Sequence, residues 1–270
     1  MTTATPSRYQ GDFVAWNGGA MFIGSGAGAI APHAHYAIQL VTGTPSGPRV
    51  QFGSRGAWQA APAALIPSRA THSIDVAECR MSVVMFIEPE TAEGRALTAR
   101  LQGRPEILDA AAVAGVTERL EAAWRTDASA DAVRAICHQF VRDLAQTTVR
   151  EPSDPRVLQA VAYIRERVNQ GVTLKEVASA VNLSPGRFRH LFVEETGMPL
   201  RTYALWRRLL HVWELLMQGE TLSNAAHGAG FADSAHLSRT SRAMFGLPPS
   251  VMQMVGPLSA RSRHVQRHRG

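Results

Sequence analysis

A segment of about 27 residues occurs twice in the last third of this 270-residue chain, and the repetition restricts what the chain can fold into. Residues 173–199 align with residues 221–248, at an offset of 48 residues that becomes 49 after one inserted residue. Both copies begin with Thr-Leu and end with Gly-x-Pro. Because turn-forming residues recur together with apolar positions, each copy is predicted to form the same small structural unit.

The first copy has the pattern of two short helices. Thr173 and Glu176 have the spacing of a capping box, which predicts that a helix begins there. Ser184 and Pro185 can cap and open a second helix, and Gly197 can end it in the left-handed conformation. Two short helices joined by a tight turn, the second amphipathic and basic, predict a helix-turn-helix unit.

A longer helix is predicted between the two copies, over residues 200–218. Its apolar stripe contains Tyr203, Trp206, Leu209 and Trp213 at helical spacing. We interpret this stripe as core packing. Stacking of the aromatic rings on nucleic-acid bases is the alternative, but stacking platforms usually lie on sheets or in grooves.

Charge is divided unevenly along the chain. Residues 155–270 carry 15 Lys or Arg and 7 Asp or Glu, whereas residues 1–154 carry 13 and 15. The part that contains the repeat is therefore basic, which predicts a polyanionic partner. Residues 256–270 are basic without apolar periodicity, so we expect a disordered tail, either attracted to phosphates or simply solvated.

The first part of the chain has a different pattern. Between residues 12 and 90, short apolar runs alternate with Gly, Pro and Ser clusters, which is typical of a small antiparallel barrel or sandwich. After residue 90 the apolar period becomes helical. The sequence therefore predicts four segments: an all-β barrel over 1–95, a helical linker or dimerisation segment over 96–150, an all-α domain with two helix-turn-helix units over 151–255, and a tail over 256–270.

The stretch GFADSAHLSRTSRAMFGLPPS, residues 230–250, resembles the signature of the AraC/XylS family of transcription regulators. The resemblance extends over about residues 154–252. It implies a seven-helix DNA-binding domain with recognition helices near 185–195 and 234–245. The candidate DNA contacts that it implies are Gly186, Arg187, Arg189 and His190 in the first helix, and Ser234, Ala235, His236, Ser238 and Arg239 in the second.

The function that this resemblance implies is sequence-specific regulation of transcription. Two recognition helices joined by one helix can enter major-groove segments about 34 Å apart, as the two subunits of a dimeric repressor do. The implied partners are double-stranded DNA, a small-molecule effector in the barrel, a second copy of the chain as a homodimer, and RNA polymerase if the regulator is an activator. The alternative is a metal-dependent cupin enzyme, an oxygenase or isomerase, with an appended helical domain.

The front segment resembles the cupin-like barrels that precede such DNA-binding domains, on the motifs PHAHYAIQLVTG and ALIPSRATHSID. In metal-binding cupins these motifs supply His-x-His, a carboxylate and a later His. His33, His35 and His72 occupy the corresponding positions here, whereas Gln39 replaces the carboxylate. Three imidazoles suit Zn, Fe, Ni or Cu. No cofactor is expected for DNA binding itself, and a divalent transition metal in the barrel remains open beside a cluster of metal-free His.

An organic effector would occupy a cavity inside the barrel. The candidate lining residues are four aromatic side chains and one Arg: Trp16, Tyr36, Phe52, Trp58 and Arg69. The alternative for each is ordinary core or surface.

The second copy departs from the pattern at Ser241, where the first copy has Phe192. Replacing a buried Phe by Ser gives up on the order of 3 kcal/mol of packing unless neighbours fill the space. We therefore expect the second unit to be looser than the first.

The remaining sequence features concern the compartment. The chain has no apolar run long enough to span a membrane and no recognisable secretory signal, so we expect a cytoplasmic protein without membrane association. Cys79 and Cys137 lie in apolar surroundings without metal-ligand spacing, which favours reduced, packed thiols over a disulfide.

Overall fold

The computed structural model of the chain describes residues 9–26, 28–126, 129–146, 154–255 and 258. The predicted tail, residues 256–270, lies outside the described residues except for Leu258. The order of elements is β-rich first and helical afterwards, as the sequence predicts, except that the predicted all-α segment ends in a short strand, residues 252–254, that pairs with the first sheet.

The strands follow the short apolar runs of the first part, and most of them bury both faces. Central strands β2 and β4 are almost entirely buried, which explains why their sequences are apolar without clean alternation. The strands are β1 (Tyr9–Trp16), β2 (Gly19–Ser25), β3 (Ala29–His33), β4 (Ile38–Thr44), β5 (Arg49–Phe52), β6 (Trp58–Ala60), β7 (Ala63–Ile66), β8 (His72–Asp75), β9 (Met81–Ile87), β10 (Glu106–Leu108) and β11 (Met252–Met254).

The strands form two sheets. One sheet has seven strands in the order β10-β7-β4-β9-β2-β1-β11, and the other has four in the order β3-β8-β5-β6. Within the described residues these sheets are not joined into one continuous hydrogen-bonded cylinder. The predicted barrel is therefore corrected to an open arrangement of two sheets, because periodicity reveals alternation and turns but not whether the last strand pairs with the first.

Most of the remaining described residues form helices. They are α1 (Ala92–Leu101), α2 (Ala110–Arg125), α3 (Ala130–Ala145), α4 (Pro155–Glu166), α5 (Leu174–Ala180), α6 (Pro185–Thr196), α7 (Leu200–Met217), α8 (Leu222–Gly228) and α9 (Ser234–Phe245). A 3₁₀ turn, Pro249–Val251, follows α9. Where the resemblance implies seven helices, the described part of the second domain thus has six α-helices and this turn. No helix in the described ranges is long and apolar enough to cross a membrane.

The predicted helical segment 96–150 belongs structurally to the β-rich part. It contains β10, which adjoins β7 at the edge of the seven-stranded sheet. Trp124 of α2 donates an indole hydrogen bond of 2.7 Å to the carboxylate of Asp12 on β1, and the Arg134 side chain of α3 donates one of 3.1 Å to the carbonyl of Ala15. Both cysteines are buried free thiols, as expected.

The helix boundaries of the second domain have the predicted chemical causes. Thr173 and Glu176 form a reciprocal capping box at the start of α5. Ser184 caps α6, and its hydroxyl accepts the backbone N–H of Arg187 at 3.3 Å. Gly197 ends α6 with φ of 74°, a left-handed conformation that favours glycine.

The two parts are joined through α7 and through the end of the chain. Strand β11, which follows the last helix, pairs in parallel with β1: Tyr9 lies opposite Met252 and Gly11 opposite Met254. The backbone N–H of Phe13 contacts the Met217 sulfur at 3.2 Å. The last residues of the helical domain therefore extend the sheet of the β-rich domain.

Candidate nucleic-acid interface

The two predicted recognition helices correspond to α6 and α9, whose bounds agree closely with the predicted ranges 185–195 and 234–245. Each is anchored by its apolar face. Phe188 and Phe192 of α6 are buried, as are Leu237 and Phe245 of α9. The N-terminus of α9 is capped by the Asp233 carboxylate, which accepts the backbone N–H of His236 at 2.6 Å.

The predicted DNA contacts lie on the opposite faces of these helices. In α6 the four candidates Gly186, Arg187, Arg189 and His190 are all exposed. In α9 Ser234, Ala235 and Arg239 are exposed, whereas His236 and Ser238 are partly buried. The His236 ring packs against the ring of Phe231 with centroids 5.3 Å apart, which fixes its position at the start of the helix.

One cleft separates the two helix-turn-helix units and brings residues of both recognition helices together. Arg189 of α6 and His236 of α9 both line it, together with Arg201 and Arg208 of α7. The guanidinium group of Arg208 donates to the carbonyl oxygens of Val168 at 3.2 Å and Gly230 at 2.9 Å. Arg208 thereby ties α7 to the segment before the first unit and to the turn between α8 and α9 of the second unit, and the cleft has cationic walls.

The aromatic stripe of α7 is buried, which confirms the prediction that it is core. Its partners lie in the β-rich domain: Trp213 packs edge-on to Phe22 at 5.2 Å, and Trp206 packs edge-on to Phe86 at 5.6 Å between ring centroids. Phe245 of α9 contacts the same group, 5.3 Å from Phe86. The helix that joins the two units is therefore also the helix that binds the β-rich domain.

Two buried carboxylates, Glu88 and Glu90, lie in this domain interface. Glu88 accepts hydrogen bonds from Arg165 of α4 at 2.5 Å and from Arg207 of α7 at 2.6 Å. Burial alone would raise the pKa of the Glu88 carboxyl, but the two guanidinium groups hold it below its ordinary value. Glu88 is thus an ionised carboxylate that bridges α4 and α7 of the helical domain.

Glu90 has neutral partners instead. The hydroxyl of Tyr36 donates to it at 2.5 Å and that of Tyr203 at 3.1 Å. Burial raises the pKa of the Glu90 carboxyl to about 8, and the nearby charge of Glu88 contributes to the increase. Glu90 is therefore predominantly protonated at neutral pH.

The three predicted metal-ligand candidates converge. His33 at the end of β3 lies opposite His72 at the start of β8, and His35 follows in the next loop. One ring nitrogen of each lies within 4.8 Å of the others, and all three side chains are buried. Gln39 of β4 contacts two of them through its side-chain oxygen. Burial lowers the pKa of each imidazole, that of His72 to about 3, so the cluster is neutral.

The five predicted effector residues are dispersed. Trp16 lies beside His138 of α3 with rings 5.4 Å apart, and Tyr36 is buried against Glu90 in the domain interface. Phe52 and Trp58 lie on β5 and β6 of the smaller sheet, and Arg69 is exposed in a turn with φ of 63°.

An apolar cavity lies between the β-rich domain and the end of α9; none of those five residues lines it, whereas His33 and Gln39 do. Its walls include Phe22, Ile74, Phe86, Phe245 and Leu247.

Glu88 and Glu90 were not predicted from the sequence, although the sequence contains a signal for them. Glu-Pro-Glu, residues 88–90, directly follows the apolar strand sequence MSVVMFI. Buried strands rarely end in paired carboxylates without partners, so this position could have been marked as a site of charge pairing.

The comparisons with known proteins agree with this geometry. Residues 177–254 match the family described as "Helix-turn-helix domain". The chain is 27% identical over 108 residues to regulatory protein PocR of Salmonella typhimurium, which is 39% of this chain and 36% of PocR. It is 30% identical over 119 residues to the transcriptional activator RhrA of Rhizobium meliloti, which is 41% of this chain and 36% of RhrA. The chain thus spans about a third of the length of these curated relatives.

Among solved structures, the chain is similar over almost its whole length to ToxT of Vibrio cholerae O395. The TM-score is 0.53 at 11% identity, with 92% of this chain and 95% of that chain covered. The structure of ToxT with a bound unsaturated fatty acid gives a TM-score of 0.52 at 12% identity, with 91% of both chains covered. This likeness shows a shared two-domain fold.

The repeat, the caps and the family match agree with one another. Residues 177–254 match a helix-turn-helix domain, and this domain follows a β-rich N-terminal domain, in agreement with the resemblance to the AraC/XylS family seen in the sequence.

Proposed function

We propose that the chain is a sequence-specific DNA-binding regulator of transcription. The observation that carries this proposal is the basic cleft lined by Arg189 of one predicted recognition helix and His236 of the other. Arg187 and Arg239, on the same two helices, are also exposed. Arginine can pair with guanine edges or with phosphates, so the arrangement suits one face of a duplex.

The linking helix α7 makes the two units a fixed pair. It is held to the segment before the first unit and to the turn between the two helices of the second unit by the hydrogen bonds of Arg208, and its inner face is buried. A fixed spacing between recognition helices selects DNA sites whose half-sites have one matching separation. The chain would therefore bind an operator with two short elements on one face of the DNA.

A cupin enzyme is less well supported than a regulator. The His cluster is buried, and the ring of His35 lies 5.9 Å from that of Trp206 and 6.5 Å from that of Phe245. A substrate could therefore reach the His cluster from that side only if the helical domain moved away. The curated relatives that match are also regulators.

Control by a small molecule is part of the proposal. The cavity beneath Phe245 and Leu247 is apolar, and an effector bound there would contact both domains. This location replaces the dispersed set Trp16, Tyr36, Phe52, Trp58 and Arg69 as our candidate effector site. A homodimer, and contact with RNA polymerase in an activator, belong to the same proposal and follow from the family resemblance.

The test is selection of bound sequences from a randomised duplex library with the full chain, followed by affinity measurements at several salt concentrations. We expect a steep loss of affinity with salt, because bound Arg side chains release phosphate counterions. Arg189→Ala and Arg239→Ala should each cost about 1–3 kcal/mol if they contact bases, or lower the salt slope by about one if they contact phosphates. Arg55→Ala, an exposed Arg of the β-rich domain, is the control.

Binding that does not depend on salt, or variants of both recognition helices that bind as well as the Arg55→Ala control, would contradict the proposed function.

A further inference from the structure

The His cluster has a second feature besides its compactness: the orientation of each ring is fixed by a backbone carbonyl. Nδ1 of His33 lies 2.8 Å from the Ala31 oxygen, and Nδ1 of His72 lies 2.8 Å from the Ala70 oxygen. Nδ1 of His35 lies 2.9 Å from the oxygen of Ala37. Since a carbonyl oxygen can only accept, Nδ1 carries the proton in each neutral ring, and Nε2 keeps its lone pair. Metal-binding His side chains in proteins are usually oriented in this way.

The amide of Gln39 faces these lone pairs. Its Oε1 lies 2.7 Å from Nε2 of His35 and 3.3 Å from Nε2 of His72. Both of those nitrogens are acceptors in the tautomer that the carbonyls impose, so three acceptors face one another. Within the described residues Nε2 of Gln39 has no hydrogen-bond partner although it is buried. Two arrangements resolve the conflict: the amide turns and its NH₂ group donates to both rings, or a cation lies among the acceptors.

The donor set fits a transition metal of borderline softness. Three imidazole nitrogens and one amide oxygen can complete a four-coordinate site for Zn²⁺, Co²⁺ or Fe²⁺. Turning the Gln39 amide would convert the metal-free arrangement into the metal-binding one without moving the backbone. A neutral donor set also explains how this cluster can be buried without a compensating acidic residue.

The position of the cluster connects it to the second recognition helix. Gly246 ends α9 with φ of 72°, and a Cβ placed there would lie 2.7 Å from Nδ1 of His33 and 2.5 Å from the carbonyl oxygen of Ala31. That carbonyl is the one that orients His33. The end of α9 therefore rests directly on the backbone that orients the His33 ring.

We propose that His33, His35 and His72, with Oε1 of Gln39, bind one divalent transition-metal ion, and that the occupied site holds the β-rich domain against the end of α9 and so increases affinity for DNA. The second half of this inference rests on the proposed function. We expect affinity for DNA to increase, because Arg189 and Arg239 are exposed while α9 is packed on β3. Metal binding strengthens this arrangement because it pins β3 to β8 beneath Gly246.

The first test is metal binding by the full chain, prepared without a His-tag and freed of metal with a chelator. Zn²⁺ is titrated calorimetrically, and Co²⁺ is followed by visible absorption, which distinguishes four-coordinate from six-coordinate cobalt. We expect one ion per chain and a four-coordinate cobalt spectrum. His33→Gln should weaken metal binding by at least about 100-fold, beyond the 10–100-fold typical for loss of an outer-shell partner. His227→Ala, an exposed His of α8, is the control and should bind metal normally.

Gln39→Leu provides a second variant in case a His substitution impairs folding. It removes the amide oxygen but keeps a buried side chain of similar length, so we expect weaker metal binding in a folded protein. A wild-type chain that binds neither Zn²⁺ nor Co²⁺ stoichiometrically, or that binds them as well after His33→Gln, would overturn the metal site.

The second test measures DNA affinity of the full chain with and without Zn²⁺, on the sequence obtained by selection. We expect an increase of about tenfold with metal, within the usual range of allosteric coupling, and none in His33→Gln. Equal affinity with and without bound metal would overturn the coupling while leaving the metal site intact. Failure of the proposed function would be seen separately, as the absence of salt-dependent, sequence-selective binding in either state.

Discussion

The hydroxyl of Ser241 donates a hydrogen bond of 2.7 Å to the backbone carbonyl of Leu247, just beyond the end of α9. In the first unit the hydroxyl group is one turn later, on Thr196: it donates to the carbonyl of Phe192 at 2.6 Å and accepts the backbone N–H of Met198 at 3.2 Å. The aromatic residue has moved in the opposite direction, because Phe192 is buried in α6 and Phe245 in α9. The two helices thus exchange a hydroxyl and a phenyl ring between neighbouring turns.

This exchange removes the reason for expecting a loose second unit. Ser241 is fully buried, and the ring of Phe245 packs against Trp206 at 5.5 Å and Trp213 at 6.0 Å. We therefore now predict comparable amide protection in the buried turns of α6 and α9. Hydrogen exchange on the full chain measures this directly. Markedly faster exchange in α9 would restore the original expectation.

Replacing Ser241 by either a larger or a smaller residue should lower the free energy of unfolding. Ser241→Phe would compete with Phe245 for space and should lower the free energy of unfolding by about 1–3 kcal/mol through overpacking. Ser241→Ala leaves the Leu247 carbonyl without its donor and should cost about 1 kcal/mol. Urea denaturation measures both, with Ser238→Ala, a half-buried serine of the same helix, as the control expected to stay within about 0.5 kcal/mol. Tolerance of Phe at this position would show that the turn contains unfilled space.

The recognition helices were predictable from sequence because their boundaries depend on local chemistry. The helix ends are determined by Thr173, Ser184 and Gly197 through contacts within a few residues, and the second copy of the repeat contains capping residues at the equivalent positions. The domain interface was less predictable because its partners are far apart in the chain. The sequence identified Trp206 and Trp213 as core but could not show that Phe22 and Phe86 of the other domain cover them. The three His could be found by motif, whereas their position beneath Gly246 required the packing of α9.

Glu88 should be the most sensitive single charge in the domain interface. Glu88→Gln leaves two guanidinium groups, those of Arg165 and Arg207, without their shared carboxylate. Removing one partner from a buried ion pair typically costs about 3–5 kcal/mol, and the partial exposure of Arg165 places the expected loss at the lower end. Glu166→Gln, in an exposed pair with Arg167, is the matched control and should cost less than about 1 kcal/mol. Equal losses of urea midpoint in the two variants would show that the Glu88 pairs do not support the interface.

Glu90 should make stability depend on pH. Its pKa is raised to about 8 in the folded protein, above the value of an exposed carboxyl. The folded state therefore retains a proton that the unfolded state releases. The corresponding stability is fully present below the unfolded pKa, at about 4.3, and is lost as pH rises through 8. We expect the urea midpoint of the wild type to fall between pH 5 and about pH 8.5, and Glu90→Gln to reduce this fall. Parallel pH profiles of the two proteins would contradict the assignment.

Substitution of Gly246 should test whether the end of α9 contacts the β-rich domain. Gly197 and Gly246 are equivalent caps, with φ of 74° and 72°, so Ala at either position meets the same backbone penalty of about 1 kcal/mol. Their surroundings differ. At Gly197 an added Cβ meets a flexible Arg69 side chain at 3.1 Å, whereas at Gly246 it meets the Ala31 carbonyl at 2.5 Å, which can yield only if the backbone moves.

We therefore expect Gly246→Ala to lower the free energy of unfolding by about 1–3 kcal/mol more than Gly197→Ala. Hydrogen exchange should increase in β3 and at the end of α9 in Gly246→Ala alone, because the added methyl group separates those two segments. Equal costs in urea and unchanged exchange in β3 would show that the end of α9 is not pressed against the backbone of the His cluster, and would remove the physical link between that cluster and the DNA-binding domain.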